Sequence, residues 1–151
     1  MIEISYVMVK PEFASKPEVI EEIKNQLLEQ SQNTLNIVKE EYIQYAPEDA
    51  KQHYAEHIGK EFYPSLEKYI TSDIAYGMII EGEDAISKIR SIIGSTKNPA
   101  EGTIRYEIPK KLGLELRVTE NVVHASDSME SAKREISIFE NILNKNFARH
   151  S

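Results

Sequence analysis

The part of this chain with the clearest chemical potential is residues 121–128, which contain one histidine, His124. Two valines before the histidine predict a short strand, and the polar residues after it are typical of a helix start. Asp127 is followed three positions later by Glu130, which is the spacing of a capping box. The imidazole would then lie beside free backbone N–H groups, where an anion is stabilised. Taken alone, such a histidine would more often be a core residue at a strand end.

Five further polar side chains are candidates for binding an anion: Lys10, Arg90, Thr96, Arg105 and Asn121. Each is predicted to lie near the end of a strand or helix, and each alone would be an ordinary surface residue. Together they supply three cations, a hydroxyl and an amide, which is the combination of charge and directed donors that a phosphate chain needs. The sequence therefore indicates a phosphate site, provided that these residues converge.

A second pattern, His-Tyr-Ala-Glu-His at residues 53–57, matches the H-x-x-E-H motif of inverted zinc proteases. On one helix, His53 and His57 would share a face and could bind one metal ion. No downstream motif places a third ligand, and short motifs recur by chance. We therefore favour an amphipathic helix with two surface histidines and keep a metal-dependent hydrolase as an alternative.

Length, charge and cysteine content limit the classes of function that this chain can have. The chain has 151 residues, a net charge of −7 and no cysteine. The length predicts one domain over residues 1–151. The acidic balance argues against a nucleic-acid partner, because phosphate backbones select basic surfaces. The sequence shows no signal peptide and no run long enough to cross a membrane, so we expect no membrane partner. The absence of cysteine fits a reducing compartment, and we expect a cytoplasmic protein.

The elements that must position these side chains follow from hydrophobic periodicity. Strands are predicted at residues 2–9, 33–45, 74–80 and 121–125. Helices are predicted at 15–32, with Ser15 and Glu18 as a capping box, and at 47–59, 64–71, 84–93 and 128–143. Residues 95–120, which glycine and proline interrupt, are predicted to be mostly loop, with a possible extra strand at 114–118. This order predicts an α+β fold in which a four-stranded sheet carries helices on one face.

With these elements in place, residues 121–128, Asn-Val-Val-His-Ala-Ser-Asp-Ser, resemble the active-site signature N-x-x-H-[GA]-S-D-S of nucleoside diphosphate kinases. The resemblance continues in the same order along nearly the whole chain. It includes Met8-Val9-Lys10-Pro11, His53-Tyr54, Phe62-Tyr63 with Leu66, residues 76–82, Arg90, Gly94-Ser95-Thr96, Asn98-Pro99-Ala100 and Gly102-Thr103-Ile104-Arg105. One short segment would be weak support, but the ordered set is specific to the family.

The resemblance implies a function for each matching residue. His124 would attack the γ-phosphate of a nucleoside triphosphate through its Nδ1, and the resulting phosphohistidine would pass the group to a nucleoside diphosphate in a ping-pong cycle. Glu135 and Ser126 would orient the imidazole. Contacts to the phosphates and sugar are implied for Lys10, Tyr54, Arg90, Thr96, Arg105 and Asn121. Phe62 would stack on the base and Val118 would cover the other face of the base.

The family resemblance also implies a fold, a cofactor and an assembly. The fold would be the ferredoxin-like α/β sandwich, with a four-stranded antiparallel sheet. Mg²⁺ would be held mainly by the nucleotide phosphates and water, so the chain itself would provide no metal site. A homo-oligomer, either a hexamer or a tetramer built from dimers, is implied as well.

The sequence departs from the family in three places. The segment after Lys10 reads Pro-Glu-Phe-Ala instead of Pro-Asp-Gly-Val, the loop after Thr96 has a different length, and residues 106–120 are longer than usual. These regions shape the nucleotide pocket and, in hexamers, the subunit contacts. They motivate a second hypothesis, in which the same scaffold binds nucleotides as a regulatory protein with little turnover.

Overall fold

The computed structural model describes residues 1–113 and 122–150, with side chains as far as residue 145. The strands are β1 (Ile2–Val9), β2 (Leu35–Ile43), β3 (Ala75–Glu83) and β4 (Val123–Ala125). The helices are α1 (Pro11–Ala14), α2 (Pro17–Gln30), α3 (Pro47–His53), α4 (Tyr63–Thr71), α5 (Ala85–Ile93), α6 (Ile104–Lys111) and α7 (Met129–His150), and a 3₁₀ turn covers Ala55–His57. Among the described helices, none is both long and apolar enough to cross a lipid bilayer.

The four strands form one antiparallel sheet in the order β2-β3-β1-β4. This arrangement confirms the predicted α+β, ferredoxin-like fold. The predicted third strand is central, because β3 pairs along its length with both β1 and β2. Only three residues of β4 pair with β1, so the histidine strand forms a short outer edge of the sheet. This edge is where a ligand could approach the backbone and side chains.

Helices cover both faces of the sheet, and the prediction of helices on one face is wrong. The reason lies in β1, whose residues 5–9 are all buried. Val7 and Val9 belong to a core cluster formed with α1, α2, α5 and α6. Tyr6 and Met8 point the opposite way and belong to a second cluster formed with α3, α4 and α7. Because side chains alternate along a strand, one apolar strand supplies both cores.

Gly77 on β3 allows the close approach of α7 to the sheet. A Cβ atom at this position would lie 2.6 Å from both the Phe139 ring and the Tyr6 hydroxyl oxygen. Such a distance is well inside van der Waals contact, so any side chain would force the helix away from the sheet. This packing matters for function because α7 carries Glu135.

Two predicted regions differ in the structure. Residues 104–111, predicted as loop, form α6, which buries Ile104 and Ile108 in the core cluster that contains Val7 and Val9. The prediction was wrong because Pro109 signals a break, yet this short helix tolerates the single missing N–H near its end. The predicted extra strand at 114–118 lies outside the described residues. The predicted helix at 47–59 is also wrong in extent, since α3 ends at His53 and a 3₁₀ turn follows.

The predicted helix starts and ends need smaller corrections. The helix predicted from residue 15 begins at Pro17, and the Ser15 hydroxyl donates to the Glu12 carbonyl instead of capping it. At α7 the cap is Ser128, whose Oγ accepts the Ser131 N–H at 3.1 Å, and not the predicted Asp127. Adjacent polar residues compete for the cap, and spacing alone does not choose between them. Helix α7 continues to His150, beyond the predicted end at residue 143.

Candidate functional site

His124 lies in the middle of β4, at the edge of the sheet, with its side chain 21% exposed. It is the antiparallel partner of Met8, and the next hydrogen bond along the ladder runs from the Lys10 N–H to the Val122 carbonyl at 2.8 Å. Val122 is buried with φ of +76°, a region that β-branched residues rarely adopt. Strain of this kind persists only where the surroundings enforce it, and it often occurs at functional sites. The pairing therefore fixes both the imidazole and the start of the Lys10 side chain.

Glu135 contacts the imidazole of His124, and Ser126 holds Glu135 in place. Glu135 lies about two turns into α7 and is 2% exposed. Its Oε2 is 2.9 Å from His124 Nε2, while its Oε1 accepts a hydrogen bond from Ser126 Oγ at 2.6 Å. The contact with His124 has the distance of an ion pair, although the Nε2–H direction is not aligned as a hydrogen bond. Ser126 Oγ also accepts the Tyr6 N–H at 3.0 Å, which ties the carboxylate to β1.

Aromatic rings form one wall beside His124. The His53 ring lies 4.5 Å from the His124 ring and the Tyr54 ring lies 6.0 Å from it, both in edge-on arrangements. The wall continues through His57, which contacts Tyr54 at 6.1 Å and Phe62 at 5.4 Å between ring centroids. Phe62 is 47% exposed, so one face of its ring remains available for stacking. The wall thus links a buried imidazole to an exposed aromatic surface.

A pocket of about 380 Å³ opens next to β4, and residues on the other side of the strand line it. Its lining includes Arg90 from α5, Thr96 from the following loop, Arg105 from α6 and Ala125 from β4. The Arg105 guanidinium donates to the Gly94 carbonyl at 2.7 Å and to the Val123 carbonyl at 2.8 Å. These bonds clamp α6 to the histidine strand. The helix that the sequence did not predict is therefore the element that positions this arginine.

Burial and charge adjust the pKa values in the site. Burial, followed by the charge of His124, lowers the pKa of His53 well below its ordinary value, so this ring is neutral at pH 7. Burial and the neighbouring Arg90 lower the pKa of Arg105 to about 10, which leaves it charged at pH 7. Burial, with a contribution from the Glu135 charge, raises the pKa of the Tyr54 phenol well above its ordinary value. The site therefore presents fixed cations and a protonated phenol.

The structure places most of the predicted site residues around β4, some of them beside His124 and others in the pocket next to Ala125. Those with described positions are Lys10, Tyr54, Phe62, Arg90, Thr96, Arg105, His124, Ser126 and Glu135. Asn121 and Val118 lie outside the described residues. Lys10 is 6% exposed at the end of β1, whereas Arg90 and Thr96 are exposed. The predicted shared helical face of His53 and His57 is wrong, because His53 is buried beside His124 and His57 belongs to the 3₁₀ turn.

Sequence reasoning missed His53 as a neighbour of His124. Its ring is 1% exposed and packs against Tyr6, Tyr45, Tyr54 and His124. The available signal was its position directly before Tyr54, a residue already predicted to line the site. Hydrophobic periodicity gives no indication that two imidazoles far apart in the sequence are in contact.

Comparisons with known proteins point to one family. The family model described as nucleoside diphosphate kinase matches residues 3–142. A nucleoside diphosphate kinase from Listeria monocytogenes serotype 4a is 42% identical over 141 residues, covering 91% of this chain and 88% of the relative. A nucleoside diphosphate kinase from Archaeoglobus fulgidus is 43% identical over 141 residues, covering 91% of this chain and 86% of the relative.

Solved structures show the same likeness. The apo crystal structure of nucleoside diphosphate kinase from Encephalitozoon cuniculi has a TM-score of 0.79 at 27% identity, covering 91% of this chain and 88% of that chain. A halophilic nucleoside diphosphate kinase from Halobacterium salinarum, determined in complex with CDP, has a TM-score of 0.75 at 29% identity. That match covers 92% of this chain and 88% of the other.

Proposed function

Because the chain belongs to the nucleoside diphosphate kinase family of phosphotransferase enzymes, we propose that it transfers the γ-phosphate of a nucleoside triphosphate to a nucleoside diphosphate through a phosphohistidine at His124. The observation that carries this proposal is the contact between one ring nitrogen of His124 and a buried carboxylate. Nε2 faces Glu135 at 2.9 Å, so Nδ1 is the nitrogen left to attack a substrate. The pocket next to Ala125, which Arg90 and Arg105 line, supports the same conclusion.

Glu135 prepares the imidazole for attack. A carboxylate beside Nε2 favours the tautomer with its proton there, which leaves the lone pair on Nδ1. In the first step a bond forms between Nδ1 and the γ-phosphorus, the bond to the bridging β,γ-oxygen breaks, and the diphosphate leaves with that electron pair. The ring then carries positive charge, which the carboxylate stabilises. The second step is the reverse, with a different diphosphate as the acceptor.

Lys10, Arg90 and Arg105 supply the positive charge that the phosphates require. Phosphoryl transfer depends mainly on positioning and on stabilising the charge of the equatorial oxygens. Arg105 is held in place by the carbonyls of Gly94 and Val123, and its Nε has no hydrogen-bond partner among the described residues. We infer that these cations, with Thr96 and Asn121, bind the phosphates and sugar. Because the fold holds Arg105 in place, little reorganisation of this side chain is needed during transfer.

Phe62 and Tyr54 are proposed to receive the nucleoside. The exposed face of Phe62 offers a stacking surface, and Lys60 Nζ lies 5.8 Å from the centroid of this ring. Stacking is tolerant of base identity because every base has a π-face. Tyr54, between Phe62 and His124 in the aromatic wall, would place its hydroxyl toward the phosphate chain. We infer that Val118 covers the other face of the base. The enzyme is therefore expected to accept several bases.

Mg²⁺ is proposed as the cofactor, entering with the nucleotide. Among the described residues, the one group of donors that could hold an ion consists of two histidines and a buried glutamate. Mg²⁺ prefers an all-oxygen octahedron, so this group does not suit it. The cations of the site instead fit an ion carried by the phosphates and water. When bound, the ion neutralises phosphate charge and orients the chain of phosphates.

The remaining predictions concern the environment of the enzyme. We propose that it acts in the cytoplasm on free nucleotides, as a single domain spanning residues 1–151. A homo-oligomer, hexamer or tetramer, remains part of the proposal.

Labelling with γ-³²P nucleoside triphosphate in the presence of Mg²⁺ tests the proposal. The wild-type protein should acquire acid-labile, base-stable label, and His124→Gln should acquire none while keeping its melting temperature within a few degrees. A folded wild-type protein that stays unlabelled would overturn the proposal. If nucleotides then still raised its melting temperature, the regulatory hypothesis would be favoured.

A further inference from the structure

His53, His124 and Glu135 form a compact cluster of donors at the centre of the site. One ligand atom from each residue lies within 4.8 Å of those of the other two. His53 and Glu135 are 1% and 2% exposed, while His124 is partly exposed and connects the cluster to solvent. The proposed transfer reaction uses His124 and Glu135 but has no task for the ring nitrogens of His53. The cluster therefore contains donor atoms, those of His53, that the proposed reaction does not use.

The ring nitrogens of His53 are the unexplained feature. Both are buried, and neither has a hydrogen-bond partner in the part of the chain that the structure describes. A buried polar atom without a partner costs free energy and therefore needs an explanation, and a bound ion is one such explanation. The ring is enclosed edge-on by Tyr6, Tyr45 and Tyr54, which limits its rotation. Its lone pair is consequently held beside His124 and the carboxylate.

Two imidazoles and one carboxylate are a donor set used for zinc. Zn²⁺ binds histidine nitrogen and carboxylate oxygen at about 2.0–2.2 Å, and three protein ligands leave a fourth position for water. Ligand atoms around one tetrahedral zinc ion lie about 3.3 Å from one another. Donor atoms that already lie within 4.8 Å of one another would therefore have to approach by about 1.5 Å or less. Imidazole donors favour zinc and copper over magnesium, which requires oxygen ligands.

The electrostatic surroundings also select the kind of ion. The ring of His53 is buried, and the charges of Arg134 and Lys10 act on it. The same cations repel a dication, and the Glu135 carboxylate offsets only part of that repulsion. Ions near the top of the affinity order for nitrogen ligands can overcome this cost, whereas Mg²⁺ and Ca²⁺ cannot.

We propose that Zn²⁺ binds the His53–His124–Glu135 cluster and thereby takes the catalytic imidazole out of use. The ion would occupy the Nε2 lone pair of His124 opposite Glu135, and the single proton of the neutral ring would then lie on Nδ1. The nitrogen that attacks phosphorus would have no lone pair left. This consequence for catalysis rests on the proposed function, whereas the binding itself does not. Zinc would then act as an inhibitor at the reaction centre, separate from the magnesium that accompanies the nucleotide.

Direct binding is the first test, carried out on metal-free protein without nucleotide, because nucleotides chelate zinc. Equilibrium dialysis should show one saturable Zn²⁺ site per chain, and Co²⁺ should give the strong visible absorption of a tetrahedral site. His53→Phe keeps an aromatic ring but removes both nitrogen donors. It should weaken zinc binding at least about 100-fold, because mutating even a residue that only hydrogen-bonds to a metal ligand lowers metal affinity by about 10–100-fold. The matched control His57→Asn removes a neighbouring histidine outside the cluster and should leave the affinity unchanged.

The outcomes separate this proposal from the function proposed above. Absence of saturable binding, binding unaffected by His53→Phe, or binding lost in His57→Asn would each overturn the zinc site. In the transfer assay, with free Zn²⁺ buffered and Mg²⁺ in excess, wild type and His57→Asn should be inhibited while His53→Phe should resist. If no transfer activity exists, the dialysis and cobalt spectra still decide the zinc proposal. If zinc binds but transfer continues unchanged, His124 is not the ligand and the proposal fails.

Discussion

Ser126→Ala tests the hydrogen bonds that position Glu135, because the Ser126 hydroxyl joins the end of β4 to α7 and to β1. Ser126 Oγ donates to Glu135 at 2.6 Å and accepts the Tyr6 N–H at 3.0 Å, and the side chain is fully buried. Its removal deletes a charge-assisted hydrogen bond and leaves a buried N–H without a partner. Each loss is worth about 1–3 kcal/mol, and the two overlap, so we expect a destabilisation of about 2–4 kcal/mol.

Ser5→Ala is the matched control on the neighbouring strand. Ser5 is equally buried, but its Oγ has no hydrogen-bond partner among the described residues. Removing an unpartnered hydroxyl should change the free energy of unfolding by less than about 0.5 kcal/mol, or should stabilise the protein. Urea denaturation of both variants, under identical conditions, measures the difference. Equal effects of the two substitutions would refute the reasoning, since it attributes the cost to hydrogen bonds and not to the loss of an oxygen atom.

Three further predictions address packing, electrostatics and the nucleoside site. Gly77→Ala should destabilise the fold by about 1–3 kcal/mol or more in thermal unfolding, because the added Cβ would lie 2.6 Å from Phe139; an unchanged Tm would contradict it. Hydrogen bonding to Lys111 lowers the pKa of Glu22 below its ordinary 4.5, so its contribution is present above that pH and lost as the pH falls through the lower folded pKa. Glu22→Gln should therefore cost about 0.2–1 kcal/mol at pH 7 and nothing near pH 2, and a cost independent of pH would exclude the ion pair. Phe62→Ala should weaken nucleotide binding by about 1–3 kcal/mol for every base, with stability nearly unchanged, and a loss confined to one base would argue against stacking.

The local features of the site could be predicted from the sequence, because they depend on neighbours in the chain. The strand, His124 and the following helix are contiguous, and Glu135 follows at a helical spacing that returns it to the strand end. Lys10 was predictable as a strand-end cation in the same way. The sheet order could also be expected once the alternation of strands and helices was recognised.

The features that could not be predicted depend on contacts between distant segments. Helix α6 is stabilised by the burial of Ile104 and Ile108 against other elements, which outweighs the local signal of Pro109. The bonds of Arg105 to the carbonyls of Gly94 and Val123 exist only once α6 has docked. The meeting of His53 with His124 likewise depends on how α3 packs against the sheet.

The same limit applies to the capping residue of α7. Asp127 and Ser128 are both good capping residues, and only the path of the chain leaving β4 places the Ser128 oxygen on the Ser131 N–H. Asp127 instead has its pKa lowered by hydrogen bonding to the Ser131 side chain. Asp127 is exposed and contacts the first turn of α7 through this side-chain hydrogen bond, while the backbone N–H is capped by Ser128.

Transfer from the isolated phosphoprotein is the most direct measurement of the central claim, that His124 carries the phosphoryl group between two nucleotides. Wild-type protein is labelled with γ-³²P nucleoside triphosphate, freed of nucleotide, and mixed with an unlabelled diphosphate of a different base. The account predicts that the label leaves the protein stoichiometrically and appears in the new triphosphate, and that Glu135→Gln slows this step. Label that stays on the protein or is released only as inorganic phosphate, or transfer that persists in His124→Gln, would contradict it.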